Sequence, residues 1–333
     1  MQPIIFHLDM NSYFATVAQQ DHPEYRGKVL GVCEHLGGII IAASIEAKKW
    51  GIKTGTPVWE ARKIYPKIIL TKTQPESYRL YIKRVIKIVS DYTAHVEQAS
   101  IDELYADITK ECNVRGLRAK GEYYQLEPFE EAVRIAKEIK LRMKKEVGDY
   151  LTCSIGIAEN KLLAKIASDL KKPNGIIIVT SDKLQVTSGD KDAKDEQRIL
   201  WITKIELYDR LKLTDIPGIG SRQQKNLNIL GIKSLIDLKN YPLSHLVARF
   251  GINGYHLHKM GQLDASWKAQ VKKEETIKSI GHVYTLPKKY RQQNFFVPVL
   301  YKLCEMVGRR MRKQGLMGNI VSFYLRNADH KSF

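Results

Sequence analysis

Residues 3–14 read Pro-Ile-Ile-Phe-His-Leu-Asp-Met-Asn-Ser-Tyr-Phe. Ile4, Phe6 and Leu8 alternate with Ile5, His7 and Asp9, and the run is apolar on both faces as far as the carboxylate. This pattern predicts a central strand ending at Asp9, with a helix over 11–20. A second pair of carboxylates, Asp102-Glu103, falls inside a predicted hairpin from Val96 to Ile108. Charged groups in such apolar surroundings are paired or metal-bound. Three carboxylates converging on one spot repel each other, and a hard divalent ion such as Mg²⁺, which prefers oxygen ligands, cancels that repulsion. Two such ions can flank a phosphoryl group. The alternative is that Asp9 caps the next helix and Asp102-Glu103 is a solvated turn.

Further strands are expected at Lys28–Cys33 and Gly38–Ala43, and short helices at Glu46–Trp50 and 57–65. Tyr78, Ile82, Val85, Ile86 and Val89 mark an amphipathic helix over 75–93. Val133, Ala136, Ile139, Met143 and Val147 mark another, followed by a strand at 151–158. A helix from Lys161 to Leu170 is stopped by Lys172-Pro173-Asn174-Gly175. Residues 110–128 lack a clean period and read as a basic surface insertion, and 185–198 as an exposed loop. From 199 to 265 the pattern is of short helices with Gly punctuation, a small all-helical domain. A basic linker at 266–275 leads to a strand (Lys278–Leu286), a helix (Phe296–Arg312) and a strand (Asn319–Arg326), a separate small α/β unit.

The 333 residues give an expectation of two or three domains at roughly 150 residues each. With 54 Lys+Arg against 36 Asp+Glu, the net charge is +18. Such a field attracts polyanions and makes nucleic acid the leading partner class. Residues 245–333 hold 16 Lys+Arg and 5 Asp+Glu, so +11 of the +18 lies in the last 89 residues. Cysteines 33, 112, 153 and 304 form no CxxC pair, which argues against a disulfide scaffold or zinc ribbon and fits a reducing cytoplasm. Apolar runs such as 37–44 fall far short of the ~18 residues needed to span a membrane. The start lacks the basic region of a signal peptide.

Further candidates follow the first strand. Tyr13 and Phe14, just past the carboxylate, would wall a nucleotide pocket or belong to the core. Lys48 and Lys49, and Lys165 within 161–172, stand at strand-to-helix transitions, where cations and helix N-terminal amides can meet phosphates; a solvated helix face is the plainer reading. Ile216-Pro217-Gly218-Ile219-Gly220-Ser221 resembles a helix-hairpin-helix turn whose amides can face a DNA phosphate; the alternative is a simple Gly-rich turn between helices.

Six motifs in order, HLDMNSYF, AASIEAKKWG, ASIDELYADI, GIAENKLLAKIASDLKKPNG, IPGIG and KSIGHVYTLP, resemble the Y-family DNA polymerases of the DNA polymerase IV type, from Ile4 to about Arg326. The resemblance implies an α+β, multidomain right hand. Its palm would be 1–13 and 74–172, its fingers 14–73, its thumb 173–265, and its little finger 276–333 after the 266–275 linker. It implies a template-directed translesion polymerase without a proofreading exonuclease, acting as a monomer in the cytoplasm on primer-template DNA and dNTP. No membrane is expected. By resemblance, Asp9, Asp102 and Glu103, with the Met10 carbonyl, bind two Mg²⁺ ions, and Phe14 is the steric gate against a ribose 2′-OH. Tyr13 lies beside it, and Lys165 binds the triphosphate. Gly218 and Gly220 hold backbone phosphates, and Lys278, Arg309 and Arg310 contact DNA from the little finger. Asn11 stands where many relatives have a second Asp. Ile45 replaces a usual phosphate-contacting Tyr, and Lys48 replaces a commoner Arg and lacks its bidentate fork. The little finger is about half the usual length, and the tail by which such polymerases bind a sliding clamp is not visible. A metal-dependent nuclease or nucleotidyl cyclase, and a catalytically silent DNA-binding scaffold, are the rival classes. The first is disfavoured by Tyr13-Phe14 and the hairpin, the second by the intact carboxylates.

Overall fold

The computed structural model describes residues 2–113, 116–117, 123–124, 128–181, 199–264, 271, 277–286 and 293–325. The segment 185–198, most of 110–128, most of 266–275 and Arg326 lie outside them. The chain divides into two compact units, Met1–Lys273 and Glu274–Phe333.

In the first unit, β1 (Ile5–Met10) leads into α1 (Tyr13–Asp21). Then come β2 (Leu30–Cys33), β3 (Ala42–Ala43), α2 (Ile45–Lys49), α3 (Val58–Ile64), β4 (Ile69–Lys72) and α4 (Pro75–Ser90). The predicted hairpin is β5 (Val96–Gln98) and β6 (Glu103–Asp107). After α5 (Thr109–Cys112), the short strands β7 (Gly116–Leu117) and β8 (Tyr123–Tyr124) pair with each other. Next are α6 (Pro128–Arg142), extended by a π turn over Met143–Val147, then β9 (Cys153–Ala158) and α7 (Lys161–Leu170).

β1 is the third strand from one edge of a six-stranded sheet, antiparallel to both β6 and β9. All six of its residues are buried, His7 and Asp9 among them, as a central strand covered on both faces requires. Phe6, Leu8 and Met10 enter a core with α4 and α6, whose apolar positions recur every three or four residues. The opposite face of the sheet receives α7, where Ile5 packs with Leu162, Leu163 and Ile166. Gly156 in β9 permits this close approach: a Cβ there would collide with the Ala164 carbonyl oxygen.

The sheet continues past Lys172, the expected end of the palm. β10 (Ile176–Thr180) and β11 (Ile199–Thr203) lie parallel beside β9. The reason is local: Ile-Ile-Ile-Val-Thr is buried at every position, as a central parallel strand demands. The helical set therefore begins at α8 (Lys204–Arg210), opened by a capping box between Thr203 and Glu206. It continues through α9 (Ser221–Ile229), α10 (Leu235–Asn240), α11 (Leu243–Phe250) and α12 (Ile252–Gly261). Leu227, Leu235, Leu246 and Leu257 close its core, which is continuous with the α7 face of the sheet. A smaller sheet, β3-β2-β4, carries α2 and α3 around a separate core that includes Val29, Ile40, Ala47 and Val58.

In the second unit, α13 (Gln293–Lys313) forms where the helix was expected. The two expected strands do not: 277–286 and 319–325 carry no regular structure. A strand is defined by its partner, and neither segment makes a backbone ladder among the described residues. Val283 and Val321 consequently remain exposed.

Candidate active site

The register of the large sheet sets Asp9 directly opposite Glu103, with the Met10 N–H donating to the Asp102 carbonyl at 3.0 Å. Two carboxylates on adjacent strands repel, and each takes its own cation. Lys172 Nζ donates to Asp9 Oδ2 at 2.8 Å and also reaches Asp169 Oδ1 at 2.6 Å. Lys165 Nζ donates to Glu103 Oε1 at 2.6 Å, and His7 Nε2 lies 3.7 Å from Glu103 Oε2. Asp102 Oδ1 instead accepts from the Ser100 hydroxyl at 2.6 Å.

The two opposed carboxyls shift in opposite senses. Burial pushes Asp9 up, against the pull of Lys172. His7 first, and then Lys165, hold Glu103 well below the usual carboxylate range despite its burial. The expected convergence of three carboxylates is therefore incomplete. Among the described residues, no three acidic, His or Cys side chains approach closely enough to hold an ion. Glu103 is drawn to Lys165, while Asp9 and Asp102 line a common cleft of about 580 Å³.

Ser12 bends the chain into this cleft. Its φ of 48° is left-handed, a conformation that costs a non-glycine residue about 1–3 kcal/mol. The bend turns α1 back so that Tyr13 and Phe14 form one wall. Phe14 stacks on Tyr78 with ring centres 4.2 Å apart and planes 15° from parallel. The buried Tyr13 hydroxyl donates to the Tyr78 carbonyl at 2.6 Å, which fixes the backing ring, and burial raises its pKa. Opposite, Ser44 caps α2 by accepting from the Ala47 N–H at 3.1 Å, and this sets Ile45 and Lys48 on the cleft. Ile45 is half-buried and outside the adjacent apolar core. Burial, then the charge of Lys172, lowers the Lys48 pKa.

Lys49, from the same helix, and Lys172 join Lys48 on the cleft; Lys165 pairs with Glu103 and does not line it. Sequence reasoning singled out Lys165 and passed over Lys172, which stands in the turn after α7. That turn is held on both sides of Asn174: its N–H donates to Asn11 Oδ1 at 2.8 Å, and its carbonyl accepts from Lys140 Nζ at 2.5 Å. Asn11, 4% exposed, also accepts from Thr152 Oγ1 at 3.1 Å and donates to Ser154 Oγ at 3.0 Å. Asn11 is thus a buried anchor for the turn that carries the cleft lysine, bonded through both Oδ1 and Nδ2.

The remaining candidates lie elsewhere. Gly218 takes φ 105° in the turn before α9, and Gly220 is the N-cap of that helix, open on its Cβ side. Lys278, Arg309 and Arg310 are exposed in the second unit; Arg309 donates to Glu305 at 2.5 Å, and Arg310 Nη2 contacts His282 Nδ1 at 2.7 Å.

Comparison with known proteins gives one answer along the whole chain. The impB/mucB/samB family model matches residues 8–169, and its C-terminal domain model matches 277–333. A DNA polymerase IV of Pelotomaculum thermopropionicum is 35% identical over 325 residues, 96% of this chain and 72% of that one. One of Moorella thermoacetica is 34% identical over 326 residues, with 96% and 72% covered. A solved Y-family DNA polymerase chimera superposes with a TM-score of 0.75 at 26% identity, over 99% of this chain and 86% of that one. The chain belongs to the impB/mucB/samB family, the Y-family DNA polymerases of the DNA polymerase IV type.

Proposed function

We propose that the cleft between α1 and α2 is the nucleotide-insertion site of this template-directed translesion DNA polymerase. One observation carries the reading: a single cleft sets two carboxylates, Asp9 and Asp102, against an aromatic wall, Phe14, and three ammonium groups, Lys48, Lys49 and Lys172. The enzyme acts on primer-template DNA and dNTP and depends on divalent metal, and we assign that metal as Mg²⁺. An all-oxygen donor set of Asp9, Asp102, Glu103 and the Met10 carbonyl suits a hard ion, and the register already places Asp9 beside Glu103. When bound, such ions supply charge neutralisation and activation of the primer hydroxyl.

The chain's own side chains do the positioning. Lys48 and Lys172 face the triphosphate, Ile45 between them offers no donor, and Phe14 presses on the sugar at C2′. Tyr13 steadies the aromatic wall. Gly218 and Gly220 present backbone amides to the DNA backbone, and Lys278, Arg309 and Arg310 add phosphate contacts. In this reading the sheet of β1, β5, β6 and β9 is the palm, the β3-β2-β4 unit the fingers, the helices after Lys204 the thumb and the second unit the little finger. We place the enzyme in the cytoplasm as a monomer, in keeping with four cysteines that are all free thiols, and a sliding clamp is its expected accessory partner.

Primer extension on an undamaged template tests the assignment. Wild type extends with Mg²⁺ and stops without it; Asp102→Ala abolishes extension while DNA affinity is retained. A variant keeping a tenth of wild-type turnover removes Asp102 from the metal site, and cleavage of the primer in place of extension supports a nuclease.

A further inference from the structure

A second cavity, about 680 Å³, adjoins the nucleotide cleft and shares Ile45, Lys172 and Pro173 with it. Its other walls come from the end of α6, the loop before β9 and the turn after α7. Its charge is one-sided. Lys140, Lys144, Lys171 and Lys172 line it against two carboxylates, Glu46 and Asp149. Those carboxylates are already engaged. Asp149 takes both arms of the Arg26 fork at 3.0 and 3.1 Å, and Glu46 accepts from Gln19 and the Tyr150 hydroxyl, each at 3.3 Å.

Lys140 is the informative group. Burial depresses its pKa, and among the described residues it donates to the neutral Asn174 carbonyl. Among the described residues no carboxylate lies within ion-pair distance of Lys140 or Lys144. A partly buried ammonium without a counter-charge is costly unless an anion completes it. The anion that arises next door follows from the reaction. As the primer O3′–Pα bond forms, the bond from Pα to the bridging oxygen breaks, and its electron pair leaves on pyrophosphate. That product is released at the triphosphate end of the cleft, against Lys172, the cation common to both cavities.

We propose that the Lys140–Lys144 cavity is a seat for the departing pyrophosphate, distinct from the triphosphate position. The proposal rests on the reading of the neighbouring cleft as the dNTP site. Because the two seats differ, pyrophosphate and dNTP can be bound together.

Two measurements on the full-length chain test this, the first independent of activity. Calorimetric titration with inorganic pyrophosphate in metal-free buffer is expected to show binding to wild type, weakened about three- to fivefold in Lys144→Gln and again in Leu141→Glu. Leu141 lines the cavity and is exposed, so a carboxylate there repels the anion without burdening the core. The second is inhibition of primer extension by pyrophosphate at fixed free Mg²⁺. Mixed inhibition against dNTP is expected, with a raised inhibition constant and an unchanged dNTP KM in Lys144→Gln. Strictly competitive inhibition, or equal pyrophosphate affinity in wild type and both variants, overturns the proposal. Failure of the cleft reading looks different: Lys48→Gln then leaves the dNTP KM unchanged, whatever the pyrophosphate titration gives.

Discussion

Replacing Phe14 by Ala should convert the enzyme from a deoxyribonucleotide-selective to a ribonucleotide-tolerant polymerase. The magnitude follows from how the ring is held. Phe14 lies 4.2 Å from Tyr78, nearly parallel to it, and Tyr78 is only 3% exposed and tied through its carbonyl to Tyr13. If Phe14 is the gate proposed above, its ring is backed by Tyr78 and an added 2′-hydroxyl would overpack the cleft, at about 1–3 kcal/mol. With ~1.4 kcal/mol per decade, the ratio of kcat/KM for dNTP over rNTP should fall by roughly one to two decades in Phe14→Ala, with Phe14→Leu between. The same change removes a stacked pair worth about 0.5–1.5 kcal/mol, so a modestly lower melting temperature accompanies it. Single-nucleotide insertion kinetics with matched dNTP and rNTP reads the ratio directly. If the variant keeps wild-type dNTP insertion and rejects rNTP as strongly as before, Phe14 is core packing and the sugar is gated elsewhere.

Three further outcomes are expected. Ile45→Tyr adds a hydroxyl at the cleft, and since a hydrogen bond to a charged group contributes ~1.5–3 kcal/mol, the dNTP KM should fall several-fold with DNA affinity unchanged. A higher KM with a lower melting midpoint would mean that the phenol overpacks. Lys172→Met should raise the dNTP KM roughly tenfold, whereas Lys165→Met should depress kcat with little change in KM; steady-state kinetics that reverse the two effects refute the placement of Lys172. Deleting 274–333 should weaken duplex binding and flatten its salt dependence by ~0.9 for each phosphate that is no longer neutralised, and an unchanged slope would take these charges off the DNA.

Much of this was legible because it is local. The apolar run before Asp9 formed the buried strand that its pattern predicts, and Asp102-Glu103 falls in the hairpin expected over Val96 to Ile108. What escaped depends on distant pairing. Lys165 and Lys172 are seven residues apart, two helical turns, so spacing alone does not separate them. The distinction lies in the turn after α7, which Asn11 and Lys140 fix across 163 and 34 residues. Likewise 199–203 reads as part of a helical stretch until β10 offers it an edge. In the second unit the expected strands had the right composition and no such edge.

The polar site and the fold draw on different forces. Lys172 holds Asp9 and Asp169 at hydrogen-bond distance, yet its side chain is 38% exposed, and pairs of that exposure contribute ~1 kcal/mol or less. The sheet beneath is secured by the fully buried Phe6, Leu8, Ile155 and Ile157, whose loss would each cost several times more, about 2–5 kcal/mol on truncation to Ala. Charges around Asp9 can therefore exchange partners while β1 stays in register. On the proposed reading of the cleft that separation is useful, because a triphosphate arriving at Lys172 would compete directly with Asp9 and Asp169. It also explains why Glu103, bonded to Lys165 and flanked by His7, sits apart from Asp9 although the strand register sets them opposite one another. The backbone fixes where the carboxylates stand, and the long lysine side chains decide which cation each one meets.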